Sequence, residues 1–447
     1  MAHSDLNEST LLDELVQRYP GENEFHQAVS ETLPDILGSI SKADRATLAP
    51  IIRRLLMPER DVRFTIAWRN GEDETEIHQG YRIQHNGALG PYKGGLRFHP
   101  ALNASILHFL AYEQTFKNAL TGLPLGSGKG GADFDPKGRT DADINRFCNA
   151  FMAELVRHIG GEEDVPAGDI NVGARELGYL FGAYRRLRGF EPQTLTGKPE
   201  ASGGNVLRNE ATGFGLVLFV KCMLAASNDD LDGKRVLISG AGNVATHAAR
   251  MAVQSGAKVL TLSDSGGLMV CEDGFSADAI DTIAAAKAEG ASLADCASDL
   301  PGDYDKGAKP WRIKADIALP CATQNELDAE DAQALVGNGA GWLAEGANMP
   351  CTRDARDALD EGGVIFAPGR AANAGGVAMS GFEMAANRIG LPRDREESMQ
   401  FLEKTMQAIH DRCQKEGGDG DRIDYAKGAT VAGFNRVADA MLRAGLR

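Results

Sequence analysis

The spacing of apolar positions along this chain changes several times, and the changes divide it into parts. Over residues 9–57 the period is helical, with Leu11, Leu12, Leu15 and Val16 at steps of one, three and four and Ser9 or Thr10 as the N-cap. From Val62 the period falls to two. Val62, Phe64, Ile66 and Trp68 alternate with Asp61, Arg63, Thr65 and Ala67, which predicts a strand with one buried face. Asn70-Gly71 marks a turn, and Ile77, Tyr81 and Ile83 mark the return strand. A helix follows over 104–119 on Ile106, Leu107, Leu110 and Phe116, and another around 141–159. Residues 191–205, rich in Gly, Pro, Ser and Thr, read as a linker or hinge.

A different architecture begins near Gly203. Lys234 to Ser239 is a buried strand, followed by Gly240-Ala241-Gly242-Asn243-Val244-Ala245, a helix to about Ser255, and a second strand from Ala257 that ends at Asp264. This is a β-α-β unit for a dinucleotide: the glycines permit a tight turn and close approach of a pyrophosphate, whose charge the helix N-terminus stabilises. An alanine fills the third glycine position. Further strands are predicted over 315–319 and 363–367. The turns after them, Pro320 to Asn325 and Pro368 to Asn373, lie where ligands bind in such sheets. Met399, Leu402, Met406, Ile409 and Cys413 form one closing helical stripe, and Val431, Phe434, Val437 and Met441 another. The expected fold class is α/β: an N-terminal α/β domain with a mixed sheet, then a Rossmann-like dinucleotide-binding domain.

Composition narrows the functions that such a chain serves. At 447 residues it is long enough for two separate cores. The formal charge of −16 would repel polyanions over most of the surface, which argues against nucleic-acid or anionic-membrane partners. Seven cysteines without a C-x-x-C pair fit reduced thiols and a cytoplasmic location, not a disulfide or metal framework. No apolar run reaches the roughly 18 residues of a membrane span; the segment 216–226 is broken by Lys221. The N-terminus has neither the basic start nor the apolar run of a signal peptide.

Two lysines sit among glycines. Lys93 lies in Gly90-Pro91-Tyr92-Lys93-Gly94-Gly95-Leu96-Arg97-Phe98-His99-Pro100, and Lys129 in the loop predicted over Thr121 to Gly131. A phosphate-binding P-loop is excluded for Lys129, because Leu123 and Gly130 stand where that motif needs glycine and Ser or Thr. The alternatives are a solvated surface lysine or an amine that a substrate touches together with main chain. Gln114 and Lys117, three apart on one helix face, lead into that stretch. Asp169, between Gly168 and Ile170, reads either as a turn-forming residue or as an acid/base partner for Lys129.

These motifs, with R-N-E-A-T-G-F-G at 208–215 and N-A-G-G-V-A-M-S-G-F-E-M at 373–384, resemble the small hexameric glutamate dehydrogenases of bacteria and fungi, within the Glu/Leu/Phe/Val dehydrogenase family. The resemblance runs from about residue 60 to the C-terminus. It implies a substrate-binding and oligomerisation domain over 1–202, a dinucleotide-binding domain over 203–375, helices 376–447 that return to the first domain, and a cleft between the two. It implies reversible oxidative deamination of L-glutamate to 2-oxoglutarate and ammonium by a cytoplasmic homohexamer. Lys129 and Asp169 take the catalytic roles; Lys93, Ser380 and Thr196 hold the side-chain carboxylate; Gln114 and Lys117 hold the α-carboxylate. Gly240, Gly242, Asn243 and Val244 receive the pyrophosphate, Thr212 and Asn373 lie near the nicotinamide, and Arg208 stands close to the cleft. Asp264 meets the adenosine ribose 2′-hydroxyl of NAD(H), or Ser263 and Lys287 receive the 2′-phosphate of NADP(H). An acid at Asp264 ordinarily selects NAD(H), whereas Ser263-Asp264-Ser265 resembles the NADP-using members, so NADP(H) is favoured and NAD(H) remains open. Ser127 and Asn171 stand where the family usually has glycine. Rival readings are an apolar-amino-acid dehydrogenase on the same scaffold, a silent nucleotide- or glutamate-binding relative, and a reductase of unrelated substrate.

Overall fold

A computed structural model of the chain describes residues 6–418 and 422–445. The chain forms two compact units. One runs to Arg208 and takes in Val377–Ser398 and the chain from Thr430; the other comprises Asn209–Gly376 and Met399–Ala429. The division therefore falls at 208/209, not at 202/203, and 376–447 does not belong wholly to the first unit. Packing explains the second difference. Leu402, Met406, Ile409 and Cys413 are fully buried, and His410 bonds the Tyr425 hydroxyl at 2.9 Å while its ring meets Phe219 at 5.7 Å.

The first unit holds a five-stranded mixed sheet of β1 (Arg60–Arg69), β2 (Thr75–Asn86), β3 (Tyr92–Phe98), β4 (Ser127–Ala132) and β5 (Asp164–Gly168), in the order β1-β2-β4-β3-β5. In β1, Ile66 and Trp68 are buried and their polar neighbours exposed, as the alternation predicts. Its hairpin partner pairs Trp68 with Glu76. The turn is wider than a two-residue one: the Asn70 side-chain oxygen accepts from the amides of Glu72 and Glu74. Behind the sheet, Trp68, Phe98, Phe134, Phe147 and Phe151 share one core with Leu180 and Tyr184. Phe134 and Phe147 stack at 3.8 Å. Burial of each such ring stabilises the unit by roughly 1.5–3 kcal/mol.

The first helix, Glu8–Arg18, is capped by Asn7, which accepts from the Thr10 amide at 2.8 Å, so the cap precedes the predicted Ser9 or Thr10. A larger departure concerns Lys129. The predicted loop is in part a strand: β4 pairs antiparallel with β2 and parallel with β3. Its glycines serve close approach between strands. A Cβ on Gly94 of β3 would stand 1.7 Å from the carbonyl oxygen of Gly128. Residues 191–205 likewise depart from the linker reading, because Thr194, Leu195, Thr196 and Lys198 are buried.

The second unit carries seven strands: β6 (Arg235–Ile238), β7 (Lys258–Asp264), β8 (Gly267–Val270), β9 (Asp303–Lys306), β10 (Ile317–Leu319), β11 (Trp342–Ala344) and β12 (Ile365–Ala367), ordered β12-β11-β10-β6-β7-β8-β9. The first five in that order are parallel, and β8 and β9 add an antiparallel edge. Leu237, Leu260, Ala318 and Leu343 pack with Trp311, Leu335 and Leu359 on one face. This is the doubly wound arrangement that the β-α-β pattern predicts. Among the described residues no helix is long and apolar enough to cross a membrane, and no His/Cys/Asp/Glu group is disposed to hold a metal ion.

Candidate active site

In the first unit, parallel pairing sets three charged side chains side by side. Leu96 of β3 pairs with Gly130 of β4 and with Gly168 of β5, which brings Arg97, Lys129 and Asp169 together. The Lys129 ammonium lies 3.3 Å from Asp169 Oδ1, and Arg97 Nε donates to Oδ2 at 2.8 Å. Lys129 is 4% exposed. Burial lowers its pKa below the ordinary lysine value; Asp169 opposes that shift, and the Arg97 and Arg82 charges add to it. Burial pushes the Asp169 carboxyl up, but Arg97 and Lys129 together outweigh burial and hold it well below the usual range.

The turn after Asp169 explains one of the two departures from glycine. Asn171 has φ of 59°, the left-handed region that glycine and asparagine tolerate best. Its amide also donates to the Phe98 carbonyl at 3.0 Å, tying the turn to the residue next to Arg97. Ser127 explains the other: it is fully buried and its hydroxyl meets that of Thr115 at 2.6 Å.

A second cluster in this unit surrounds Lys93, which is 1% exposed. Burial drives its pKa well down, Arg208 and Arg82 lower it further, and Glu383 and Asp164 pull it back. Ser380 Oγ accepts from Thr196 Oγ1 and from Arg208 Nε, both at 3.1 Å. Arg208, assigned by sequence to the cofactor set, therefore stands with the Ser380 hydroxyl in the first unit. Lys198 and Glu383 form a buried pair at 2.8 Å, and the Gly197 amide donates to the same carboxylate. Gln114 lies beside Gly94 and donates to Asn118 Oδ1 at 2.6 Å, and half-buried Lys117 follows on its helix, Ala104–Leu120.

Sequence reasoning missed Arg97, Arg82, Asp164, Lys198 and Glu383. Arg82 and Asp164 are fully buried and paired, with Arg82 Nε donating to Asp164 Oδ2 at 2.8 Å and Nη1 to the Gly94 carbonyl at 3.2 Å. Arg82 and Gln84, two apart in β2, both donate to Asp164. A polar pair at strand spacing is the signal that could have found them.

In the second unit, Gly240 turns with φ of 84°, and its amide donates to Ser263 Oγ at 2.9 Å. The helix Asn243–Gln254 starts at Gly242 with no side chain capping it, and Gly242 and Asn243 are exposed. Val244 follows in the same first turn. These amides, with the helix dipole, suit a pyrophosphate. The Asn243 side chain itself donates to the Asn209 carbonyl at 2.6 Å. Thr212 is half-buried in the first turn of the helix Ala211–Ala226. Asn373 donates to the carbonyls of Gly346 and Ala347 at 3.0 and 3.1 Å, while its Oδ1 is buried and accepts nothing. An unmet buried acceptor, an open helix N-terminus and a glycine turn fit a dinucleotide with a carboxamide to donate.

Asp264 and Lys287, read from the sequence as a ribose contact and a 2′-phosphate contact, are each other's partners at 2.9 Å. Asp264 also accepts from the amides of Leu293 and Gly266. Burial would raise its carboxyl, but these donors and Lys287 lower it below the ordinary value.

Comparison with known proteins agrees with this geometry. Residues 203–445 match the family model described as Glutamate/Leucine/Phenylalanine/Valine dehydrogenase, and residues 58–186 match its dimerisation domain. The chain belongs to the Glu/Leu/Phe/Val dehydrogenase family. It is 47% identical over 438 residues to the NADP-specific glutamate dehydrogenase of Salmonella typhi, covering 98% of each chain. It is also 47% identical over 444 residues to the NAD-specific glutamate dehydrogenase of Bacteroides fragilis (strain YCH46), covering 99% of this chain and 100% of the relative. The solved glutamate dehydrogenase of Plasmodium falciparum shares the fold with a TM-score of 0.94 and 40% identity, over 98% of this chain and 94% of that one.

Proposed function

We propose that this protein is a glutamate dehydrogenase. It interconverts L-glutamate with 2-oxoglutarate and ammonium, and runs mainly as NADPH-dependent reductive amination. The observation that carries this reading is the excess of buried cations around Ser380 and Lys129. Lys93, Lys129, Lys198, Arg82, Arg97 and Arg208 are met by three acids, Asp164, Asp169 and Glu383, and a buried cation without a counter-charge is costly. A dicarboxylate supplies the missing charge at both ends.

Lys93, Ser380 and Thr196 hold the side-chain carboxylate, and Arg208, bonded to Ser380, shares it. Gln114 and Lys117 hold the α-carboxylate. Lys129 polarises the 2-oxo group, protonates its oxygen as ammonia adds, and stabilises the carbinolamine through loss of water. Asp169 takes the proton released by the incoming nitrogen. Its lowered pKa keeps it ionised and free to accept a proton, and Arg97 positions it. Gly240, Gly242, Asn243 and Val244 carry the pyrophosphate, and Thr212 and Asn373 orient the nicotinamide. When bound, the nicotinamide exchanges hydride with the substrate α-carbon.

NADP(H) is the favoured cofactor. Lys287 and two amides already compensate the Asp264 charge, so the acid does not repel a 2′-phosphate as a bare carboxylate would. NAD(H) remains accessible, as the Bacteroides relative illustrates. A dehydrogenase of an apolar amino acid would leave Lys93 buried against hydrocarbon, which disfavours that rival. The chain assembles as a homohexamer in the cytoplasm, where its free cysteines stay reduced.

The test is the initial rate of absorbance loss at the reduced-nicotinamide band with 2-oxoglutarate and ammonium, NADPH and NADH in parallel. A faster rate with NADPH is expected. A preference for NADH would reverse the cofactor assignment, and no rate with either would overturn the activity. Light scattering on the same sample should return six chain masses.

A further inference from the structure

Glu345 is a buried acid that the reaction above does not use. It follows β11 directly and is 4% exposed. Its Oε2 accepts the Gly369 amide at 2.8 Å, at the start of the short helix Gly369–Ala372. Asn373 closes that helix, its amide on the Gly369 carbonyl at 3.1 Å. Asn373 also reaches back to the carbonyls of Gly346 and Ala347, the two residues after Glu345. Segments 345–347 and 369–373 thus fix each other at both ends. With its amide nitrogen spent on two carbonyls, the Asn373 orientation is set, and its buried Oδ1 is left for an external donor.

We propose that Glu345 is a positioning residue for the nicotinamide end of the cofactor, holding the Gly369 turn that aims the Asn373 acceptor. This inference rests on the reading that Asn373 faces the nicotinamide carboxamide. A carboxylate grips an N–H more strongly than a neutral oxygen does, so the grip depends on the charge of Glu345. The charged and titratable groups acting on it are Arg356, from the helix Arg353–Glu361, Arg370, from the short helix, and the Cys351 thiol. Burial raises the Glu345 carboxyl, and Arg356, the Gly369 amide and Arg370 only partly offset this, leaving it at about 7. The grip therefore weakens as pH falls through neutrality.

The test is fluorescence titration of NADPH, without turnover, at pH 6 and pH 8. It compares the wild type with Glu345→Gln, Glu345→Ala and Asn373→Ala. Glu345→Ala should weaken binding about tenfold at pH 8. Glu345→Gln should lose the part of the pH dependence that the wild type has beyond the cofactor's own phosphate. Binding of glutarate, which needs only first-unit groups, should not change. If Asn373→Ala is weakened while both Glu345 variants match the wild type at both pH values, Glu345 does not position the turn. If Asn373→Ala binds NADPH normally, the reading beneath the proposal fails as well. Should Glu345→Ala not fold, the Gln variant decides: a wild-type pH dependence overturns the proposal, and a flattened one supports it.

Discussion

Around Lys93 and Lys129 in the first unit, Arg97, Lys198 and Arg208 share Asp169 and Glu383, so positive charge is buried in excess. The second unit reverses the sign. There half-buried Asp264 and buried Glu345 are met by main-chain N–H groups as well as by cations. An amide is a fixed, neutral donor that no ligand need displace, whereas an unmatched ammonium calls for an anion. The first region is therefore built to receive charge from its ligand, and the second to present a finished surface of turns and amides.

Replacing the central cation should break the contrast most severely. Lys129→Ala is expected to lower turnover by at least about 10³-fold, with NADPH binding by fluorescence close to wild type; retained turnover would remove Lys129 from the chemistry. Lys93→Leu replaces a buried cation with hydrocarbon. It should cut kcat/KM for glutamate about 100-fold and raise relative activity on apolar amino acids in a substrate panel. If glutamate stays strongly preferred, Lys93 does not hold the side-chain carboxylate.

Arg97→Met sharpens the comparison by titration. Arg97 helps to hold the Asp169 carboxyl low, so its loss raises the folded pKa and moves the acid limb of kcat/KM to higher pH. The same sign applies to stability. A carboxyl held below its unfolded value stabilises the fold at pH above the ordinary range, and this is lost as pH falls through the folded value. The variant should therefore begin to lose that contribution at higher pH in acid melts. An unmoved acid limb would show that Arg97 does not govern Asp169.

Two smaller effects complete the series. Lys287→Ala leaves Asp264 with backbone donors alone, and the ratio of kcat/KM for NADPH over NADH should fall about tenfold; a constant ratio would separate this pair from cofactor choice. Asn171→Gly keeps the left-handed turn but loses the bond to Phe98. Chemical denaturation should register a loss of about 1 kcal/mol or less, and a larger loss would mean that Asn171 does more than hold a turn.

Much of this was legible in the sequence, for identifiable reasons. The two-residue period of β1 and the strand–glycine–helix pattern of β6 express burial on one face and a turn that few residues tolerate. The strand character of Ser127 to Ala132 was hidden because glycine signals both a turn and a close approach of backbones, and only the partner strand tells them apart. Trp342 to Ala344 is too short for any period to show. The bond between Arg208 and Ser380 was hidden because the two are distant in sequence. The pairing of Asp264 with Lys287 was hidden for the same reason: both were recognised, but not that they meet.

The contact between Gly94 and the Gly128 carbonyl bears on how this enzyme can diverge. With a Cβ at Gly94 placed 1.7 Å from that oxygen, the floor under Lys93 and Lys129 admits no added volume. A directed-evolution library aimed at new side chains would recover its productive variants at Lys93, Thr196 and Ser380, the residues proposed above to hold the side-chain carboxylate. Substitutions at Gly94 would be lost at the folding stage, before any selection for substrate could act.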